Sequence, residues 1–168
     1  MATYDYVNRA SGGADWFGEG IHVGSVDNTF TWFRRINLAT AGDALTTTGA
    51  FGAADVLELF NVKAGHWIRD IVINVNTVEG ATLAATIGDA DNAAGFLVAG
   101  NLNSATYQSG STQATYGADF LNGTTYHSGK LYTAADTIDM TLTDAGADVA
   151  IFDIWVFGVN MSQTYPTI

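Results

Sequence analysis

The chain has 168 residues, 48% of them hydrophobic and none of them cysteine, which suits one packed domain and excludes disulfides, thiolate metal sites and cysteine nucleophiles. Only 14% of the residues are charged, and 17 acids against 6 bases give a formal net charge of −11. Lys and Arg contacts to phosphate dominate nucleic-acid affinity, so this balance argues against direct nucleic-acid binding and against docking on an anionic membrane.

The opening MATYDYVNRASGG has neither a basic stretch nor an apolar run behind it, so no secretory signal is expected. Residues 1–20 read as an N-terminal arm that orders on a neighbour or as a first edge segment, with residues 21–168 forming the main domain. On the arm reading, Tyr4, Tyr6, Trp16 and Phe17 are candidate interface anchors.

Period-two alternation then dominates. NTFTWFRRINL (28–38) places Phe30, Trp32, Ile36 and Leu38 on one face, with Arg34 intruding among them. TAGDAL and TTTGAFGAAD read as punctuation between strands. In DVLELFNV, Leu57 and Leu59 oppose Glu58, which is expected on the solvated face. RDIVINVNT (69–77) sets Ile71, Ile73 and Val75 against Val72, Asn74 and Asn76. TLAATIG (82–88) aligns Leu83, Ala85 and Ile87.

The loop GDADNAAG (88–95) raises the first chemical question. Counted from Asp89, Asp91 fills the third place of an EF-hand loop, but Ala93, Ala94 and Gly100 fill the fifth, sixth and twelfth, so that motif fails. Asp and Asn beside Gly are what a plain turn requires, and a turn is the preferred reading. An irregular calcium site on Asp89 and Asp91 stands as the alternative.

Residues 99–128 are polar and lack clear alternation, so they read as long surface loops with room for short strands. Their tyrosines, Tyr107, Tyr116 and Tyr126, are further interface candidates. With calcium and acidic loops they would also serve a carbohydrate-binding role, the alternative function. TIDMTLT (137–143) resumes the alternation with Ile138, Met140 and Leu142 inward. VAIFDIWVFGVNM (149–161) is apolar on both faces, with Ile151, Trp155, Phe157 and Val159 opposing Phe152, Ile154 and Val156. Such a strand is central in a sandwich or lies against another subunit. Trp32 and Trp155 are expected in the core, and Arg34 and Asp153 each need a partner if buried, either each other or a group across a subunit boundary.

Short strands with frequent Gly, Asn and Asp breaks make the expected fold all-β, an antiparallel β-sandwich with long polar loops. No catalytic constellation emerges. His22, His66 and His127 lack zinc-ligand spacing, Ser25 lacks a nucleophile elbow, and no phosphate-binding glycine loop is present. A non-enzymatic protein is therefore expected.

Two segments together resemble structural proteins of tailed bacteriophages. The first is DVLELFNVKAGHWIRDIVINVNTVEGATLAATIGDADNAAGFLVA (55–99), and the second is GTTYHSGKLYTAADTIDMTLTDAG (123–146). Lys63 stands where the turn of that pattern often carries proline, and the pattern holds no catalytic residue to carry over. The resemblance implies a jelly-roll-like capsid decoration or cement protein, a homotrimer or homodimer bound to the major capsid protein. It also implies assembly in the host cytoplasm and a place on the outer surface of the virion. Gly65, Gly88 and Gly95 would be turn residues, with Asp89 and Asp91 fixing their loop.

Overall fold

A computed structural model describes residues 3–5, 29–45, 49–80, 82–109 and 129–162. The elements are β1 (Thr3–Asp5), β2 (Thr29–Asn37), α1 (Leu38–Leu45), β3 (Val56–Val62), β4 (His66–Thr77) and β5 (Ala84–Gly88). There follow β6 (Leu97–Asn101), β7 (Tyr107–Ser109), β8 (Lys130–Leu131), β9 (Asp136–Leu142) and β10 (Ile151–Asn160).

Eight of these strands form four nested antiparallel pairs: β2 with β10, β3 with β9, β4 with β7, and β5 with β6. This nesting is one long hairpin rolled up on itself. Rolling brings β10 beside β4 and β9 beside β5, also antiparallel. The result is two sheets, ordered β2-β10-β4-β7 (sheet B) and β1-β3-β9-β5-β6 (sheet A). That interleaving is a jelly roll, the double-sheet solution to burying apolar strand faces while leaving few open edges. Two short additions decorate it. β1 pairs with β3 in parallel, and β8 pairs with β4 through Trp67↔Leu131 and Ile68↔Lys130.

The core lies between the sheets and follows the period-two reading closely. Ile36, Ile71, Ile73, Ile154 and Val156 from sheet B meet Leu57, Leu59, Ile87, Ile138, Met140 and Leu142 from sheet A, all buried. Burying each such side chain is worth about 1.5–3 kcal/mol against conformational entropy. The inner face of β10 carries Gly158 because a Cβ there would run into the Phe30 ring. Phe30 in turn stacks on Trp32 at a centroid distance of 4.4 Å.

One departure from the sequence reading has a local cause. TAGDAL is not a turn but the body of α1. The Asn37 side chain accepts a hydrogen bond from the Thr40 backbone N–H at 3.3 Å, an N-cap, and Leu38 and Ala41 anchor the inward side of the helix. The short strand allowed for in the polar stretch after residue 99 is present as β7, where Gln108 takes a buried place. Its side-chain amide accepts from Asn101 N and donates to Asn101 O, both at 2.7 Å, copying a strand pairing.

Candidate functional site

β10 supplies the inner and outer faces of sheet B together, and this explains its two apolar sides. Phe152, Ile154 and Val156 enter the core, whereas Ile151, Trp155, Phe157 and Val159 point outward. β10 lies centrally between β2 and β4, as one of the two expectations for so apolar a strand required. Trp32 is in the core, but Trp155 is not. It stands half-buried on the outer face, in one rung with Phe33 of β2 and Val72 of β4. Its ring lies 5.3 Å from that of Phe33 and 6.3 Å from that of Tyr107. Alternation alone could not tell which side of a doubly apolar strand is wet.

Along the same face, Phe157 and Tyr107 are exposed at 39% and 70%, and Leu131 at 52% lies beside Trp67 in the register of β8 and β4. Among the described residues the charges of this face balance. Arg35 donates through Nε and Nη2 to the two carboxylate oxygens of Asp153 at 2.7 and 2.8 Å, and Arg69 stacks over Trp67 near Asp70. The Arg35 hydrogen bonds hold the Asp153 carboxyl below its ordinary range despite partial burial. Of the two choices left open for Arg34 and Asp153, the direct pair is not formed. The register sets Asp153 opposite Arg35, and Arg34 one residue away points inward, its guanidinium 5.2 Å from the Phe60 ring centroid.

The outer face of sheet A has the opposite character. Glu58 of β3 and Asp139 of β9 are direct cross-strand partners, with Gly88 of β5 on the other side of Asp139. Desolvation, with repulsion from Glu58, Asp136 and Asp89, raises the Asp139 carboxyl above its ordinary range, against a hydrogen bond from Thr137. One Asp139 oxygen is buried without a hydrogen-bond partner among the described residues.

At the end of the sandwich, GDADNAAG proves to be a locked turn that ties the two sheets together. Asp89 is buried, and its Oδ1 accepts the backbone N–H groups of Asp91 and Asn92 at 3.0 and 3.1 Å. Its Oδ2 accepts the Tyr132 hydroxyl at 2.6 Å and the Lys130 ammonium at 2.7 Å. Lys130 also reaches Asp91 Oδ2 at 2.8 Å and lies over the Tyr132 ring. The Asn92 side chain accepts from Ala94 N, and the Asn92 carbonyl occupies the space a side chain at Gly88 would need. Gly88 is thus required by close approach, and Gly65 by its φ of 87° in the β3–β4 turn. Asp89, Asp91 and Asp136 bring one oxygen each within 4.8 Å of one another, the spacing of a cation site. A cation of the protein's own, Lys130, already bridges two of the three. Carboxylates satisfied by an ammonium, a phenol and two amides act as a fastener, which is the turn reading in a stronger form.

Of the proposed interface aromatics, Tyr107 is on the outer face of sheet B, and the backbone of Tyr4 lies in β1. Tyr6, Trp16, Phe17, Tyr116 and Tyr126 lie outside the described residues, as do His22 and His127. His66 packs against the rings of Phe30 and Trp32. One polar site escaped the sequence reading. The Glu79 carboxylate accepts the backbone N–H groups of Asp148, Val149 and Ala150 at 2.7–3.2 Å, fixing the approach to β10. Glu79 sits before Gly80 in a turn, and nothing in that local pattern points across about 70 residues of chain.

No protein-family model matches the chain, and no curated protein does. Solved structures do. A chain of the capsid of Ralstonia phage GP4 matches with a TM-score of 0.53 and 14% identity, over 96% of this chain and 100% of that one. This fold is one found in phage capsids. A chain of the cyanophage Pam1 capsid asymmetric unit matches with a TM-score of 0.52 and 12% identity, over 84% and 89%. A chain of the acid-stable capsid of Helicobacter pylori bacteriophage KHP30 matches with a TM-score of 0.50 and 11% identity, over 82% and 94%. The matches span 89–100% of the matched chains. At such identities the likeness is one of fold.

Proposed function

We propose that this protein is a bacteriophage capsid decoration, or cement, protein that binds the outer surface of the shell and stabilises the head through oligomeric, multivalent contacts. The observation that carries the reading is the shared jelly roll: three capsid chains match it over nearly their full lengths. The surface supports it. A cement protein needs a rigid slab and adhesive faces rather than a cleft, and here two sheets expose one balanced, aromatic face and one acidic face. Net charge of −11 suits a protein kept apart from packaged nucleic acid. Many weak contacts held at once give high avidity without any single large interface.

The test is to remove the protein from its particle. Heads lacking it should lose integrity at lower temperature, or after milder osmotic shock, than complete heads, and adding purified protein back should restore them. Equal robustness of the two preparations would overturn the proposal.

A further inference from the structure

We infer that the outer face of sheet B is a self-association surface, occupied by a second copy of this chain in a twofold, face-to-face contact. The inference deepens the proposed function and rests on it for its purpose, because multivalent binding requires copies held together.

Three observations carry it. First, the exposed and half-buried apolar groups of this face are contiguous rather than scattered. Phe33, Trp155 and Tyr107 touch in series, Phe157 lies two residues along β10 from Trp155, and Trp67 with Leu131 extends the patch to the edge. Single exposed apolar residues are ordinary, but a continuous aromatic band on a sheet face marks an interaction surface. Tyr, Trp and Phe are also the residues enriched at the centre of interfaces.

Second, charge selects the occupant. Two copies of a molecule with a net charge of −11 repel, so a close contact between them is favoured on a surface carrying no net charge. On the described outer face of sheet B, Arg35 pairs with Asp153, and Arg69 and Asp70 of β4 add one charge of each sign. The opposite face, with Glu58 against Asp139, excludes a second copy by like-charge repulsion. A strongly cationic partner would prefer that acidic face, and a strongly charged partner of either sign gains nothing from the neutral one.

Third, the size suits a reversible contact. Strands β2, β10, β4 and β7, of 9, 10, 12 and 3 residues, at ~4.8 Å spacing and ~3.3 Å rise give roughly 540 Å² of sheet plan, below the about 800 Å² per partner of a standard interface. A contact in which one patch meets its own copy is isologous, which requires a twofold axis. Packed sheets lie about 10 Å apart, leaving room for Trp155 and Phe33 to interdigitate with their counterparts.

The experiment is sedimentation equilibrium of the full chain at physiological salt, with three point variants and one loop replacement. The wild type should be a dimer, and Trp155→Glu and Tyr107→Asp should each weaken the dimer at least tenfold. Tyr107 is 70% exposed, so its variant keeps the fold even if Trp155→Glu does not. Glu58→Gln, on the acidic face, should leave the dimer unchanged. A monomeric wild type, or a dimer that tolerates both sheet B substitutions, would overturn the inference. So would a monomer that begins to associate when residues 110–128 are replaced by a short linker, since that segment of the same chain would then be the occupant. Adding the same proteins to heads separates the two claims. A monomer that restores heads refutes the dimer and spares the capsid reading, and a dimer that does not bind heads does the reverse.

Discussion

The ammonium of Lys130 stands 2.7 Å from a carboxylate oxygen of Asp89, joining the edge of sheet B to the β5–β6 turn of sheet A. The Asp89 side chain is fully buried and that of Lys130 nearly so, so neither charge can fall back on water if the other is removed. Lys130→Met should therefore destabilise the fold by about 2–4 kcal/mol, less than a wholly stranded charge because Tyr132 and two backbone amides still serve the carboxylate. Denaturant unfolding monitored by tryptophan fluorescence checks this, and a loss under about 1 kcal/mol would show the tie to be unimportant.

The same geometry bears on calcium. With Lys130 bridging Asp89 and Asp91, a divalent cation must displace an ammonium before it can bind. Millimolar calcium should leave the melting temperature of the wild type unchanged. A rise of several degrees that a chelator reverses would show that the three carboxylates prefer the metal.

Asp139 and Glu58 face each other across two strands of sheet A, and the Asp139 carboxyl is raised above its ordinary range by desolvation and then by like charges. A raised carboxyl favours protonation in the folded state, so its cost is fully present at neutral pH and disappears as pH falls through the folded value toward the unfolded one, about 3.9. Asp139→Asn should thus stabilise the protein at pH 7 by up to about 1 kcal/mol, with the gain fading in acid. Melting curves of both proteins between pH 3 and 7 test the sign.

Asp153 behaves oppositely. Its hydrogen bonds from Arg35 lower the carboxyl, so their contribution exists above the unfolded value and is lost as pH falls through the folded one, below about 3.9. Arg35 is largely exposed, which limits the pair to under about 1 kcal/mol at physiological salt. A double-mutant cycle should find coupling between Arg35 and Asp153 and none between Arg34 and Asp153.

Much of the sandwich was legible because its inner faces obey one rule. The inward sets of β2, β4, β5 and β9 follow from alternation alone, including Arg34 among apolar neighbours. What escaped had a physical reason in each case. The buried place of Gln108 is satisfied by its own amide, so a polar residue mimics a core one. The helix at Leu38–Leu45 is short and held by a cap and two anchors, too little for periodicity to register. The outward side of Trp155 could not be assigned from a strand apolar on both faces. The Asp89 turn was read correctly as a turn, but its partners Lys130 and Tyr132 lie about 40 residues away and meet it only through the rolled topology.

The claim that this jelly roll coats a capsid is tested most directly by electron imaging of purified particles at a resolution that separates sheets. The account predicts symmetry-related densities on the exterior of the shell into which the two-sheet sandwich fits, each touching the shell and another copy. Particles whose exterior shows no such density, or that carry the protein only in the interior or the tail, would contradict it.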